Sequence, residues 1–285
     1  MKVQKLTPVS ARYPECLRNI ASVPKALYIL GDIEPLLARP RLAVVGSRKV
    51  TPYGKLITSQ LSKEAAGKGV VIVSGLALGV DALAHTAALE AGGHTIAVMP
   101  CGLDTIYPAT NRQLAKRILS NGGALISEYP FGTEPFKSNF VARSRIVSGI
   151  SDAVLITEAA EKSGTLHTAN FALEQGRTVM AVPGNITSPL SAGTNNLIKV
   201  GALPVTNIND ILLALGLHES NEAYEVLAAS KEEADILQLL KDGMTDASLL
   251  CATSGMDPRL FNQTLTMLEI NGKIRALGAG HWSIN

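Results

Sequence analysis

Seven short apolar runs, rich in β-branched residues, recur through the first two thirds of the chain, at residues 42–45, 69–73, 95–99, 124–126, 153–157, 178–182 and 203–205. Each predicts a strand, and the runs at 42–45, 153–157 and 178–182 have the makeup of buried strands, as parallel sheets require. Parallel strands need long crossovers, and segments of helical length separate these runs. The stretch 153–202 carries the pattern most clearly. A strand at 153–157 leads into the small-residue loop from Glu161 to Thr165. A helix at 166–175 stops at Gly176, a C-cap glycine, before the strand at 178–182 opens into Pro183-Gly184-Asn185. Both loops fall at the carboxyl ends of strands, where open α/β sheets hold their ligands. The alternation predicts an α/β fold, an extended Rossmann-like, doubly wound and mostly parallel sheet.

Residues 1–40 hold only short apolar pieces among prolines, and predict an N-terminal extension packed on the main domain of residues 41–217. Residues 218–230 turn to Glu, Asn, Ser and Ala and read as a linker. Beyond it, helices at 231–241, 246–253 and 258–271 and a hairpin at 274–284 predict a small C-terminal winged-helix-like domain over 231–285. Residues 41–200 carry fifteen Lys and Arg against ten Asp and Glu, whereas residues 216–285 carry five against ten. An anionic partner therefore suits the body and not the tail. The third tail helix sets a single Arg259 against Asp257 and Glu269, which favours protein docking over duplex reading. Three distant cysteines without a CxxC predict neither disulfide nor zinc site, and no metal or cofactor is expected. The N-terminus lacks an apolar signal region, and the longest apolar stretch, 69–80, is too short and glycine-broken to span a bilayer. The expectation is a cytoplasmic protein without membrane contact.

Gly46-Ser47-Arg48 follows the first parallel strand. Glycine allows close backbone approach, Ser47 offers a hydroxyl, and Arg48 suits a phosphate. It is neither a dinucleotide fingerprint nor a P-loop. Asp81 and His85 sit four residues apart on one helix, and one such pair predicts a structural contact rather than a metal site. Arg112, Lys116 and Arg117, at i, i+4 and i+5 on one helix, form either an extension of a phosphate track or a solvated helix surface. The loop 129–139 interleaves Tyr129, Phe131 and Phe136 with Lys137, then enters a helix bearing Phe140, Arg143 and Arg145. Rings that stack on bases beside cations along a backbone are what single-stranded nucleic acid needs, and Phe140 is the ring expected to be exposed.

Together these stretches resemble the DNA-processing protein A family (DprA, also called Smf). The resembling residues are Gly46-Ser47-Arg48, the run Ser74 to Asp81 with Ala84-His85, Gly102 to Asp104, and Tyr107-Pro108 with Asn111. They continue with Ser127-Glu128, Phe140 to Arg145, Ser163-Gly164-Thr165, Pro183-Gly184 and Gly193 to Lys199. The match runs over about residues 10–215. It implies a non-catalytic protein that binds single-stranded DNA, loads the RecA recombinase in natural transformation or recombination, and forms a homodimer. Carried over, Gly46, Ser47, Arg48, Lys137, Phe140 and Arg143 bind the strand, helped by Arg145 and the loop Ser163-Gly164-Thr165. The family's RNR is Arg143-Ser144-Arg145 here, which keeps both cations and loses an amide.

Two rival classes remain. The Ser163–Thr165 loop also resembles a PGGxGTxxE-type family of nucleotide N-glycosidic hydrolases, but Thr168 stands where that chemistry needs a carboxylate. A sequence-specific repressor acting through the winged helix is disfavoured by the acidic tail.

Overall fold

The structure, a computed structural model, describes residues 3–217 and 230–284. Contacts divide the chain into two compact units, with the boundary between Leu217 and His218. The segment 218–230, expected as a linker, lies outside the described residues except for Ser230.

In the first unit, the elements are β1 (Gln4–Leu6), α1 (Glu15–Arg18), β2 (Leu27–Leu30), α2 (Glu34–Leu37), β3 (Arg41–Val45) and α3 (Pro52–Gly67). Then come β4 (Val71–Ser74), α4 (Val80–Glu90), β5 (Thr95–Met99), α5 (Arg112–Ser120), β6 (Ala124–Ser127) and α6 (Lys137–Gly149). The unit ends with β7 (Ala153–Ile156), α7 (Thr165–Glu174), β8 (Thr178–Ala181), α8 (Ala192–Lys199), β9 (Leu203–Pro204) and α9 (Ile208–Ala214). Nine strands form one sheet in the order β1-β2-β6-β5-β4-β3-β7-β8-β9. From β6 to β9 all pairs are parallel, while β1 and β2 run antiparallel at one edge. The N-terminal extension thus enters the sheet itself and does not merely pack on it.

The central strands β4, β5, β6 and β7 are buried at every position, which explains their unbroken apolar sequences. One face of the sheet packs on α1, α6 and α7 through Leu17, Ile146, Val147, Ala169 and Ala172. The other packs on α3, α4 and α9 through Leu61, Ala65, Ala84, Ala88 and Ile211. Helix α3 begins at Pro52, whose missing N–H costs nothing there, and Thr51 caps it by accepting from the Gly54 N–H at 3.0 Å. Such a cap contributes about 1 kcal/mol.

Successive strands β3 to β6 step one way across the sheet. The chain then returns through α6 to lay β7 on the other side of β3, and β8 and β9 step away. The gap above β3 and β7 is therefore the topological switch point, the crevice where such sheets bind ligands.

The second unit contains α10 (Lys231–Lys241), α11 (Ala247–Ser254), α12 (Pro258–Ile270), β10 (Ile274–Gly278) and β11 (His281–Ile284), the strands forming an antiparallel hairpin. Ser230 caps α10 by accepting from the Glu233 N–H, and Asp246 caps α11. Ile236, Leu240, Leu250, Phe261, Leu268 and Ile274 fill its core. Three helices with a hairpin wing make this a winged helix. Among the described residues no helix is long and apolar enough to cross a membrane.

Candidate nucleic-acid interface

A cavity of about 500 Å³ opens at the switch point. The turn after β3 supplies Gly46, Ser47, Arg48 and Lys49, α6 supplies Phe140, Arg143, Ser144 and Val147, and the start of α7 supplies Ser163, Gly164, Thr165 and Thr168. Its size lies within the range of small-ligand sites.

The turn after β3 is held from below. The Ser47 N–H donates to the Glu158 carbonyl at 2.8 Å, and the Val80 N–H donates to the Ser47 carbonyl at 3.1 Å. The buried Glu158 carboxylate accepts from the Thr51 hydroxyl at 2.7 Å and from its N–H. Gly46 is required by crowding, since a Cβ there would lie 2.6 Å from Val80 Cγ2 and 2.8 Å from the Glu158 carbonyl oxygen. Thr165 Oγ1 donates to the Gly46 carbonyl at 2.9 Å and itself accepts from Ser163 Oγ at 3.0 Å. One knot thereby joins the loops from β3 and β7.

Arg143 is the arginine this arrangement buries. It is 7% exposed, packs against Gly75, and forms an ion pair with Asp81 at 3.8 Å, too long for a hydrogen bond. Among the described residues its buried Nε has no hydrogen-bond partner. The Asp81 carboxylate instead accepts from the Gly75 and Ala77 N–H groups at 3.1 and 3.3 Å. Burial pulls the Arg143 guanidinium below its ordinary pKa; Asp81 opposes this, and the positive charge of Arg48 adds to it. Arg48 lies over the Phe140 ring, 5.1 Å from its centre, and Tyr107 meets the same ring edge-on at 5.5 Å and 71°. Two cations lining one cavity, Arg143 buried and Arg48 exposed, favour an anion.

Of the residues expected in the site, Gly46, Ser47, Arg48, Phe140, Arg143, Ser163, Gly164 and Thr165 line this cavity together. Lys137 and Arg145 do not. Lys137 is exposed one turn before Phe140 on α6, whereas Arg145 turns away and pairs with Glu128 at 2.6 and 2.7 Å. Residues 143 and 145 are about 200° apart around a helix, so the two cannot face one cavity. Phe140 is half-buried, and the more exposed rings are Phe131 and Phe136, at 57% and 63%. Asp81 and His85 both serve structure but not as a pair. His85 Nδ1 lies 2.6 Å from Thr95 Oγ1, fixing α4 to β5. The sequence reading passes over Glu158 and Lys49. A lone glutamate directly after a buried strand is the signal that marks Glu158.

A doubly wound α/β domain with two arginines lining a cavity at its switch point, followed by a winged helix, defines the class of protein. The family model for DNA recombination-mediator protein A matches residues 4–216 and that for the DprA winged helix domain matches residues 223–280, so the chain belongs to the DNA recombination-mediator protein A (DprA) family. It is 41% identical over 279 residues to Protein Smf of Escherichia coli strain K12, covering 94% of this chain and 74% of that protein. The solved structure of DNA processing protein A from Streptococcus pneumoniae is 40% identical with a TM-score of 0.70 and covers 74% of each chain. DNA processing protein A from Helicobacter pylori, solved in a study of its single-stranded DNA binding mode, is 37% identical with a TM-score of 0.67. That match covers 75% of this chain and 95% of the other.

Proposed function

We propose that this protein binds single-stranded DNA through the switch-point cavity. The carrying observation is Arg143, buried in the cavity lining together with Arg48 and Phe140. Arg48 and Arg143 hold phosphates, with Lys137 at the approach to the cavity. Ser47 and the Ser163–Thr165 loop add short polar groups, and Phe140 offers an unpaired base a ring. Duplex is excluded because its bases are not free to leave the stack. The single-stranded DNA binding studied in the Helicobacter pylori relative supports the same ligand class here.

Membership of a family of DNA-processing, recombination-mediating proteins supports a role in transformation or recombination, and in our reading a homodimer passes the strand to the RecA recombinase. Two cavities in one dimer lengthen the bound segment and raise avidity. The winged helix serves protein docking in this scheme, since its exposed α12 face carries Leu260, Met267 and Ile270 with little positive charge.

The protein acts by binding and not by catalysis. Thr168 lines the cavity where a glycosidic hydrolase needs a carboxylate, and the carboxylate that does line it, Asp81, is held by two backbone N–H groups and Arg143. Fluorescence anisotropy with labelled single-stranded and duplex oligonucleotides across a salt titration tests the proposal. Preference for the single strand that weakens with salt is expected. Equal or absent binding overturns it.

A further inference from the structure

Beyond the cavity rim the structure continues in the same chemistry. Tyr107 contacts Phe140, a cavity residue, and is itself 40% exposed. Four residues later, Asn111 Nδ2 donates to the Leu76 carbonyl at 2.8 Å and to that of Ala77, another cavity residue, at 3.3 Å. Those bonds pin the start of α5 beside the rim. Arg112 and Lys116, one helical turn apart on α5, are both exposed, while the opposite side of the helix buries Leu114, Ala115 and Ile118 in the core. Among the described residues, neither cation has an ion pair or hydrogen bond. The cavity is thus followed by a second ring and then by two cations with no partner among the described residues.

We propose that the strand leaves the cavity over Tyr107, which stacks on the nucleotide next to the one at Phe140, and that Arg112 and Lys116 take the phosphates beyond. This rests on the single-strand reading of the cavity and gives the strand its direction. The occupant follows from continuity with the cavity and from the alternation of ring and cation, which matches the alternation of base and phosphate. The two rings stand at 71° to each other. Bases stacked on both must turn through a similar angle, so the strand bends sharply at this step. An unpaired strand can do so because nothing holds its neighbouring bases parallel, and a duplex cannot.

Anisotropy with an oligothymidylate series, from three nucleotides to about twelve, tests this on the full chain. Wild type gains affinity as the strand outgrows the cavity. Tyr107→Ala loses about ten- to a hundredfold on the longer oligomers, the worth of one stacked base, with an unchanged salt slope and unchanged binding of the shortest. Tyr107→Phe retains the gain. Arg112→Ala with Lys116→Ala lowers the slope by up to about 1.4 on long oligomers alone. A 2-aminopurine walked along the strand is quenched at one position in wild type and not in Tyr107→Ala. If Tyr107→Ala weakens short and long oligomers equally, the ring merely supports Phe140 and the proposal is overturned. If it weakens neither while Arg48→Ala weakens both, the exit path fails and the cavity reading stands. A wild type that binds no single strand overturns both.

Discussion

Gly75 is the residue through which the Arg143 assignment is most sharply tested. A Cβ built there would fall within the Arg143 guanidinium, against Nη1, Cζ and Nη2, so Gly75→Ala cannot coexist with the guanidinium where it lies. The backbone of Gly75 is not left-handed, so alanine adds no strain of its own and acts through Arg143. Displacing the guanidinium separates it from Asp81. Removing one partner of a buried pair outright costs about 3–5 kcal/mol, and displacement toward the open cavity should cost somewhat less, about 2–4 kcal/mol. The strand meanwhile loses one charge-assisted contact, worth about 1.5–3 kcal/mol, or roughly ten- to a hundredfold in affinity. The salt slope falls by about 0.7, the value of one phosphate on a single strand. Thermal unfolding establishes a temperature at which the variant is folded, and anisotropy across salt then reads affinity and slope at that temperature. A folded Gly75→Ala protein with wild-type affinity and slope would refute the role given to Arg143.

Arg48→Ala should reduce single-strand affinity and flatten its salt dependence while leaving the melting temperature nearly unchanged, because Arg48 is exposed. Arg145→Ala should do the reverse: its pair with Glu128 is largely buried, so urea unfolding should report a loss of about 3 kcal/mol, with affinity within twofold of wild type. Burial, with a smaller contribution from Arg143, pushes His85 down to about 3 from an ordinary value near 6.5. Below pH 6.5 the unfolded chain therefore binds a proton that the folded chain refuses, and His85 removes stability progressively as pH falls from about 6.5 toward 3. Urea midpoints at pH 7 and pH 4.5 should differ less in His85→Gln than in wild type, by an amount equivalent to about 3 kcal/mol or less. Equal pH dependence in the two proteins would remove His85 from that account. Glu158→Gln should lower stability and weaken single-strand binding together, since the carboxylate holds Thr51 beneath the Arg48 turn, and hydrogen exchange at Ser47 and Thr51 would locate the loosening.

The interior parallel strands were legible because burial on both faces leaves no polar position to interrupt them, and β5 falls at residues 95–99, where its apolar run lies. The exposed edge strand β9 falls within the run at 203–205, but the antiparallel pair β1 and β2 was not legible. Gln4–Leu6 is three residues long and only partly buried, and a strand so short displays no period. The glycines and hydroxyls of the site were legible as loop chemistry at strand ends. Which cations reach the cavity depends on helix phase: Phe140, Arg143 and Val147 share one side of α6, whereas Arg145 is rotated away. The Asp81–Arg143 pair was hidden because its partners lie far apart in sequence and meet only through the fold. The same holds for Glu158, whose role exists only once β3 and β7 are neighbours.

That carboxylate has a consequence for how the family can vary. Glu158 fastens the segment after β3 to the segment after β7, and Thr165 fastens the second segment back to the first. Two stretches more than a hundred residues apart in the chain therefore behave as a single mechanical part. Neither can be lengthened, shortened or transplanted alone without unseating the other. By contrast, the turn around Phe131, exposed and joined to its neighbour mainly through Asp104 and Gly102, is free to accept insertions. Variation in length should accumulate there, while the paired segments change only in concert.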